Sequence, residues 1–296
     1  MDINAMDITK GMIIKSIGGL YYVKSPLGVL ECKARGIFRK RNISPCAGDI
    51  VTVTDGVISG IEPRRNELIR PPLANLDRMV FVVSTCEPHP NLLLLDKFIA
   101  ICVFKGITPV IAVTKTDLMK DNFIEDTYKD SGARVFLIDY SDEKNLIPIY
   151  DELEGKFCAF TGNTGVGKST LLNHLDNNIV RETGEISRKL GRGRHTTRCV
   201  EVYELKNGTM VADTPGFSTF ETNKYDFILK DKLAGCFHEF DGFVGKCRFP
   251  DCSHTKEKDC AVIEAVNSGV IPKSRHESYV EMYEQAKQIK EWEIEK

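Results

Sequence analysis

The sequence predicts a multidomain α/β protein with an N-terminal β-barrel, a central α/β domain and a C-terminal helical domain. Three observations support this division. Short β-type segments separated by glycine and proline occupy the first 70 residues. Buried-strand segments then alternate with helical segments up to about residue 221. From Thr222 onward the strand pattern stops and a cluster of cysteines appears. We therefore expect domains at residues 1–70, 71–221 and 222–296.

The first region has the spacing of a small antiparallel barrel. Its β-type segments are Gly11–Ile17, Leu20–Lys24, Gly28–Lys33 and Asp49–Thr54. Phe38 lies within a basic run that contains no acidic residue: Lys33, Arg35, Arg39, Lys40 and Arg41. An oligonucleotide-binding (OB) barrel exposes charge and an aromatic ring together in this way. A solvated loop in a small β-domain has the same composition, so the residues alone leave RNA contact and a solvated loop equally open.

The central region predicts a doubly wound α/β sheet, because strands and helices alternate along it. Near-continuous apolar segments, typical of parallel strands covered on both faces, are Arg78–Thr85, Ile107–Thr114, Arg134–Asp139 and Lys156–Thr161. The helical candidates between them are Leu92–Lys105, Phe123–Ser131 and Leu146–Glu154. Two further strands, Cys199–Leu205 and Thr209–Ala212, lead into Asp213.

Residues 162–169 read Gly-Asn-Thr-Gly-Val-Gly-Lys-Ser, the GxxxxGKS pattern of a phosphate-binding loop (P-loop). A strand precedes the loop and a helix is predicted to follow it, which is the context that the motif requires. Backbone N–H groups can converge there on phosphate oxygens, so Lys168 is predicted to bind the β- and γ-phosphates and Ser169 to bind Mg²⁺. A chance match in a glycine-containing turn is the alternative. The predicted nucleotide contacts of this loop are Gly162, Asn163, Thr164, Gly165, Val166, Gly167, Lys168, Ser169 and Thr170.

Asp213-Thr-Pro-Gly216 supplies a DxxG motif 45 residues after Lys168. A carboxylate at this position can hold Mg²⁺ through water, so Asp213 is a predicted magnesium ligand. The backbone N–H of Gly216 can reach the γ-phosphate because glycine has no side chain to block the approach. Alone the tetrapeptide is a common turn, but its spacing from the P-loop favours the nucleotide-binding interpretation.

Thr114-Lys115-Thr116-Asp117 predicts a guanine-reading motif at the end of the strand Ile107–Thr114. The carboxylate of Asp117 can accept from guanine N1–H and from the exocyclic amine, and adenine offers neither donor. The stem of Lys115 can pack along the base. Thr114 replaces the usual asparagine, which we expect to remove a supporting contact and not the base contact. A polar turn capping a helix is the alternative.

The order of these motifs indicates a circularly permuted GTP-binding protein. The guanine motif precedes the P-loop in this chain, whereas most GTPases carry it well downstream. Between Lys168 and Asp213 lies Gly191-Arg-Gly-Arg-His195-Thr-Thr-Arg198, which is predicted to be a mobile switch in which Thr197, or else Thr196, completes the Mg²⁺ shell. A basic loop that touches RNA is the alternative for this segment.

Phe217 follows Gly216 where many switch proteins place a glutamine that orients the attacking water. A phenylalanine ring cannot hydrogen-bond water, so the sequence predicts slow intrinsic hydrolysis completed by another residue or by a partner. His195 is the best internal candidate for the catalytic residue, although a histidine in a basic loop can be simply a loop residue.

The tail contains Cys247, Cys252, His254 and Cys260 within 14 residues. Three thiolates and one imidazole can close a tetrahedral structural Zn²⁺ site with no open position, so catalysis at this metal is not expected. Cys236 and His238 are rival ligands, and reduced cysteines without metal are the alternative.

Composition restricts the class of protein and its location in the cell. The chain has 296 residues, is 42% hydrophobic and 28% charged, and carries a net charge of -2. These values are those of an ordinary globular protein without a global attraction to nucleic acid. No apolar run reaches membrane-spanning length, and Met1–Ser16 lacks the core of a secretory signal. We therefore expect a reduced, cytoplasmic monomer that binds no membrane.

The motif order TKxD, GxxxxGKS, GRHTT and DTPG, after a β-barrel and before a Cys-Cys-His-Cys tail, resembles the ribosome-small-subunit-dependent GTPases. These are bacterial, circularly permuted GTPases that act late in maturation of the small ribosomal subunit. The likeness covers almost the whole chain. One departure is Gly162-Asn163-Thr164, where relatives usually carry serine or glutamine variants, but the backbone role of the loop survives this change.

The resemblance implies an OB barrel, a GTPase domain and a zinc domain. It also implies hydrolysis of GTP to GDP and phosphate that the small subunit stimulates, with rRNA among the contacts, so that the protein acts as an assembly checkpoint. His195 matches a family histidine implicated in hydrolysis, and Phe217 matches a hydrophobic family position. Two other functions stay open: a nucleotide-regulated RNA-binding module with incidental hydrolysis, and a P-loop ATPase or kinase, against which Asp117 argues.

Overall fold

The computed structural model describes residues 8–41, 43–119, 121–175, 200–213 and 227–289. They form two compact units. Unit 1 contains the described residues of the ranges Met1–Arg78, Tyr150–Thr161 and Lys168–Phe220. Unit 2 contains those of Met79–Ile149, Gly162–Gly167 and Glu221–Lys296. Within the described ranges, every helix is too short or too polar to cross a membrane.

Unit 1 begins with the closed β-barrel that the sequence predicts. Its strands are β1 (Ile8–Ile17), β2 (Leu20–Ser25), β3 (Gly28–Ala34), β4 (Ile50–Thr54) and β5 (Val57–Ile61). They pair in the order β1-β2-β3-β5-β4, and pairing between β4 and β1 closes the barrel. Strand β5 was not among the expected strands. It pairs with β4 through the two-residue turn Asp55-Gly56, a short connection that the sequence analysis did not recognise.

Helix α1 (Gly36–Lys40) lies between β3 and β4 and corrects one expectation. The ring of Phe38 is only 6% exposed, because the helix turns it into a core formed with Ile13, Val23 and Val51. Phe38 therefore does not present an aromatic ring to a ligand. The neighbouring basic residues Lys33, Arg35, Lys40 and Arg41 are exposed, so this side of the barrel offers charge without that ring.

In the rest of unit 1, further strands continue the barrel sheet from the edge of β1. The short strands β6 (Glu67–Leu68) and β7 (Leu73–Ala74) form a hairpin after the barrel. Strand β1 then pairs with β12 (Glu201–Glu204), β12 with β13 (Met210–Asp213), and β13, in parallel, with β11 (Phe157–Thr161). Helices α4 (Ile147–Leu153) and α5 (Lys168–Leu175) flank β11 along the chain.

Unit 2 contains the predicted alternation of strands and helices. The elements along the chain are β8 (Arg78–Ser84), α2 (Leu92–Lys105), β9 (Thr108–Thr114), α3 (Phe123–Tyr128) and β10 (Arg134–Leu137). The three strands lie in the order β10-β9-β8. Residues Met79–Ser84 and Pro109–Thr114 are buried throughout, as expected of strands covered on both faces.

The C-terminal part of unit 2 is helical. It contains α6 (Lys230–Leu233), two 3₁₀ turns at Ala234–Cys236 and His238–Phe240, α7 (Ala261–Asn267) and α8 (Lys273–Ala286). Between the second 3₁₀ turn and α7 lies an irregular loop that carries all four predicted zinc ligands.

A buried ion cluster fixes α8 on α2. The guanidinium of Arg275, fully buried, donates to Asp96 Oδ1 at 2.6 Å and to Glu239 Oε1 at 2.5 Å. Its charge also lies over the Tyr128 ring, 5.3 Å from the centroid. Burial disfavours the charged guanidinium, but the two carboxylates outweigh it and raise the pKa of Arg275. Removing one partner of such a buried pair typically costs about 3–5 kcal/mol, so the cluster holds the C-terminal helix firmly in place.

Candidate functional site

The P-loop follows β11 directly and has the expected strand–loop–helix context. Val166 is buried at its centre, and its N–H donates to Asn163 O at 3.4 Å. A Cβ atom at Gly162 would lie 2.5 Å from Val82 O, so only glycine fits there. Gly167 has a φ of +93°, a left-handed conformation that favours glycine. Lys168 and Ser169 then begin α5, while Thr164, Gly165, Ser169 and Thr170 are exposed to solvent.

The guanine motif is a turn at the end of β9. Lys115 has a φ of +60°, which is uncommon for a residue with a side chain. Its carbonyl oxygen accepts from Leu118 N at 3.0 Å and Met119 N at 3.2 Å. Thr116 Oγ1 donates to Ile138 O at 2.8 Å. Asp117 lies inside this turn and is exposed, so its carboxylate is open to a ligand.

Thr114 joins the guanine motif to the P-loop. Its fully buried hydroxyl lies 2.5 Å from Val166 O and 3.0 Å from Val83 O. Threonine at this position was expected to lose the supporting contact that the usual asparagine makes. The structure instead gives it one, because the short side chain at the end of β9 reaches the P-loop carbonyl directly. Two motifs separated by 52 residues therefore touch inside unit 2.

The loop Thr85–Pro88, which follows β8, was not predicted from the sequence to be part of the site. Thr85 Oγ1 donates to Lys115 O at 2.9 Å, and Lys115 Nζ donates to Glu87 O at 2.5 Å. A Cβ atom at Gly165 would lie 3.9 Å from Pro88 Cδ, in ordinary contact. A polar segment directly after an apolar strand was the available signal, since the carboxyl ends of parallel strands carry ligand sites.

Asp213, the predicted magnesium ligand, is the last residue of β13. Strands β11 and β13 run in parallel with Ala159 opposite Ala212, so Asp213 ends β13 beside the end of β11 in unit 1. Thr196, Thr197 and His195, together with Gly216 and Phe217, lie outside the described residues. Their predicted roles stay predictions.

The four predicted zinc ligands come together in unit 2. Their ligand atoms all lie within 4.8 Å of one another. Cys247 Sγ lies 3.7 Å from Cys260 Sγ, and His254 Nδ1 lies 3.5 Å from each of these sulfurs. A tetrahedral zinc ion with ordinary bond lengths would set about 3.8 Å between two sulfurs and about 3.5 Å between sulfur and nitrogen. The arrangement therefore fits a closed four-ligand site.

The protonation of these side chains would be coupled to metal binding. Burial, reinforced by neighbouring thiols, raises the pKa of the Cys252 thiol to about 12. Burial lowers the pKa of His254 and so favours the neutral imidazole, the form that binds metal. Burial also raises the pKa of the Cys260 thiol, and a bound dication would reverse this preference for the protonated thiols.

Helix α8 and Glu257 brace the loop that carries the ligands. Tyr279 OH donates to Ser253 O at 2.8 Å, and the His276 ring contacts His254 O at 2.7 Å. The Glu257 carboxylate accepts from Ser253 N and Thr255 N, both at 3.0 Å. Burial opposes ionisation of Glu257, but hydrogen bonds from the Ser253 hydroxyl and from backbone N–H groups, including that of Ser253, outweigh it and lower the pKa to about 2. The loop geometry is thus held from outside the ligand set.

The rival ligands lie outside the four-residue cluster. Cys236 Sγ donates to Lys232 O at 3.4 Å. The His238 ring packs against Gly132, where a Cβ atom would lie 2.3 Å from His238 Nδ1. Both side chains therefore have structural partners of their own.

These features define a class of protein. A P-loop and a guanine motif that precedes it in the chain, on α/β sheets that follow a closed β-barrel, are the features of a circularly permuted P-loop GTPase. Comparison with known sequences identifies the branch of that class. The RsgA GTPase family model matches residues 61–223, and the RsgA N-terminal domain model matches residues 10–56. The chain belongs to the RsgA GTPase family.

Individual relatives match over nearly their full length. The small ribosomal subunit biogenesis GTPase RsgA of Caldanaerobacter subterraneus subsp. tengcongensis is 40% identical over 96% of this chain and 97% of that protein. The RsgA of Staphylococcus carnosus is 41% identical over 95% and 98%. Among solved structures, YjeQ from Thermotoga maritima has a TM-score of 0.80 at 29% identity, covering 96% of this chain and 100% of that one. YloQ, described as a circularly permuted GTPase, has a TM-score of 0.76 at 34% identity, covering 98% and 99%.

Proposed function

We propose that this protein hydrolyses GTP to GDP and phosphate on the small ribosomal subunit and acts as a late checkpoint in its assembly. The observation that carries this proposal is the contact between Thr114 Oγ1 and Val166 O, which joins a guanine motif to a P-loop in permuted order. The names of the relatives supply the ribosomal context, since they are small-subunit biogenesis GTPases over nearly the whole chain.

Each motif has a proposed role in the reaction. The P-loop N–H groups and Lys168 bind the β- and γ-phosphates, and Asp117 reads the guanine edge. Ser169 and Asp213 hold Mg²⁺, which neutralises charge on the phosphate oxygens when bound. Gly216 N–H binds the γ-phosphate, Thr197 completes the metal shell, and His195 acts in hydrolysis. In the tail, Cys247, Cys252, His254 and Cys260 hold one structural Zn²⁺.

The ribosomal part of the proposal is tested by GTP turnover with purified small subunits, large subunits and free RNA. We expect slow turnover by the protein alone, because Phe217 cannot orient water, and strong stimulation by small subunits only. The variant His195→Ala should lose mainly the stimulated rate and keep its GTP affinity, as expected when an interaction forms only in the transition state.

Equal turnover with and without small subunits would instead favour the RNA-binding module with incidental hydrolysis. The exposed basic residues Arg35, Lys40 and Arg41 of the barrel make that module the second candidate. Full stimulation of His195→Ala would place the catalytic group elsewhere in the complex.

Guanine selectivity is expected to depend on Asp117. The variant Asp117→Asn should bind GTP roughly 10- to 100-fold more weakly, because a hydrogen bond to a charged acceptor is lost on the guanine edge. It should gain affinity for xanthine nucleotides, whose 2-oxo group complements an amide donor. Competition binding with GTP, XTP and ATP measures both changes. Asp121→Asn, an exposed carboxylate four residues further on, is the matched control and should change neither affinity. Unchanged GTP affinity in Asp117→Asn would remove this residue from the site.

A further inference from the structure

The conformation of Lys115 determines where Asp117 points. Lys115 sits in the left-handed region, with a φ of +60°, and its carbonyl begins the turn that contains Asp117. A lysine gains nothing intrinsically from this conformation, so the surrounding contacts must hold it there. The guanine motif therefore depends on groups outside its own four residues.

Thr85 supplies two of these contacts. Its N–H donates to Thr114 O at 3.1 Å, which extends the pairing of β8 and β9 beyond the end of β8. Its hydroxyl donates to Lys115 O at 2.9 Å. Thr85 is only 6% exposed, so water has little access to the hydroxyl and cannot readily replace that hydrogen bond.

The hydroxyls of Thr85 and Thr114 contact different motifs. Thr114 Oγ1 contacts the P-loop at Val166 O, whereas Thr85 Oγ1 contacts the guanine motif at Lys115 O. Removal of the Thr114 hydroxyl should therefore disturb phosphate binding, and removal of the Thr85 hydroxyl should disturb base recognition. This difference makes the role of Thr85 separable by experiment.

We infer that Thr85 is a positioning residue for guanine recognition, whose hydroxyl holds Lys115 in the left-handed conformation that directs Asp117 to the base. The inference rests on the proposed function, since it assigns a role within the same nucleotide site. Thr85 makes no contact with the base in this scheme; it acts through Lys115 and Asp117.

Inosine nucleotides distinguish a displaced Asp117 from a general loss of protein stability. Asp117 would accept from both N1–H and the exocyclic amine of guanine, but hypoxanthine keeps N1–H and lacks the amine. A displaced carboxylate therefore weakens GDP binding more than IDP binding. The ratio of the two affinities reports the position of Asp117, whereas partial unfolding lowers both affinities by the same factor.

The experiment measures GDP, IDP and ADP affinities of the full-length wild type and of full-length Thr85→Val, which is nearly isosteric but lacks the donor. We expect the GDP affinity to fall roughly five- to tenfold, the usual range for one hydrogen bond, and the IDP affinity to fall less. Thr85→Ser keeps the hydroxyl and should restore the wild-type ratio. Thr127→Val, which alters a buried threonine of α3 in the same unit, is the matched control and should change neither affinity. If Thr85→Val does not fold, Thr85→Ala gives the same comparison.

Two results would overturn the inference alone: an unchanged GDP-to-IDP ratio in folded Thr85→Val or Thr85→Ala, or a failure of Thr85→Ser to restore the ratio. A wild-type protein that binds GDP no better than ADP would overturn the proposed function and this inference with it. The wild-type titration therefore separates the two failures.

Discussion

The variant Lys168→Ala is expected to lose essentially all GTP turnover, with or without small ribosomal subunits. Lys168 is the first residue of α5 and carries the only side-chain charge of the GxxxxGKS motif. The Lys168 ammonium can stay beside the phosphoryl oxygens throughout the reaction. The uncharged N–H groups of the loop cannot replace its positive charge. Loss of one such electrostatic contact commonly lowers the rate by about 10²- to 10³-fold.

Single-turnover rates at saturating GTP and saturating small subunits measure this effect, and a binding titration measures the accompanying loss of GTP affinity. Lys156→Ala is the matched control, because Lys156 is an exposed lysine directly before β11 in the same unit. Its rate should equal that of the wild type. Lys168→Arg should recover little, since a planar guanidinium does not replace a compact ammonium between phosphates. Turnover of Lys168→Ala near the wild-type rate would show that the P-loop assignment is wrong.

Loss of one zinc ligand is expected to unfold the C-terminal part of unit 2. The wild type should contain one zinc per chain, and Cys260→Ser should contain none. Structural zinc contributes about 10–16 kcal/mol in zinc-finger peptides, which is as large as the whole stability of a typical domain, about 5–15 kcal/mol. The contacts that brace the ligand loop are hydrogen bonds, which contribute only about 0.5–1.5 kcal/mol each, so we do not expect them to keep the loop folded without the ion.

Elemental analysis and amide hydrogen exchange over residues 247–289 measure the two effects. Cys236→Ser is the matched control, since this buried thiol lies outside the ligand cluster and its bond to Lys232 O can be made by a hydroxyl. It should keep both zinc and protection. We expect Cys260→Ser to keep GTP binding. The nucleotide-binding part of unit 2 should nevertheless have a lower free energy of unfolding in this variant, because Arg275 links α8 to Asp96 of α2. Absence of zinc from wild-type protein purified without chelator would contradict this prediction.

The nucleotide chemistry of this protein could be predicted from local sequence. A P-loop needs a fixed spacing of glycines, lysine and serine, so Gly162–Ser169 is recognisable without any tertiary contact. The same holds for Thr114–Asp117, whose position before the P-loop identified the permutation. The barrel followed from alternating segments with glycine turns, and the comparisons confirm that fold class.

Contacts between distant segments could not be predicted in the same way. Phe38 stands in a basic run and was expected to be exposed, but its direction depends on the packing of α1 over the barrel. The role of Thr85 cannot be predicted from the residues next to it in the sequence, because it depends on which strand lies beside β8. The partners Arg275 and Asp96 are 179 residues apart, and each alone resembles a surface charge.

The sequence by itself determined the class of protein, the permuted order of its motifs and the spacing of its four candidate metal ligands, because these properties are local along the chain. Only the tertiary structure decided that Thr114 touches the P-loop, that Thr85 holds Lys115, and that Arg275 is buried between two carboxylates. The physical reason is that a hydrogen bond or a buried ion pair requires two groups to meet at about 3 Å. When the groups belong to distant segments, only the packing of strands and helices brings them together.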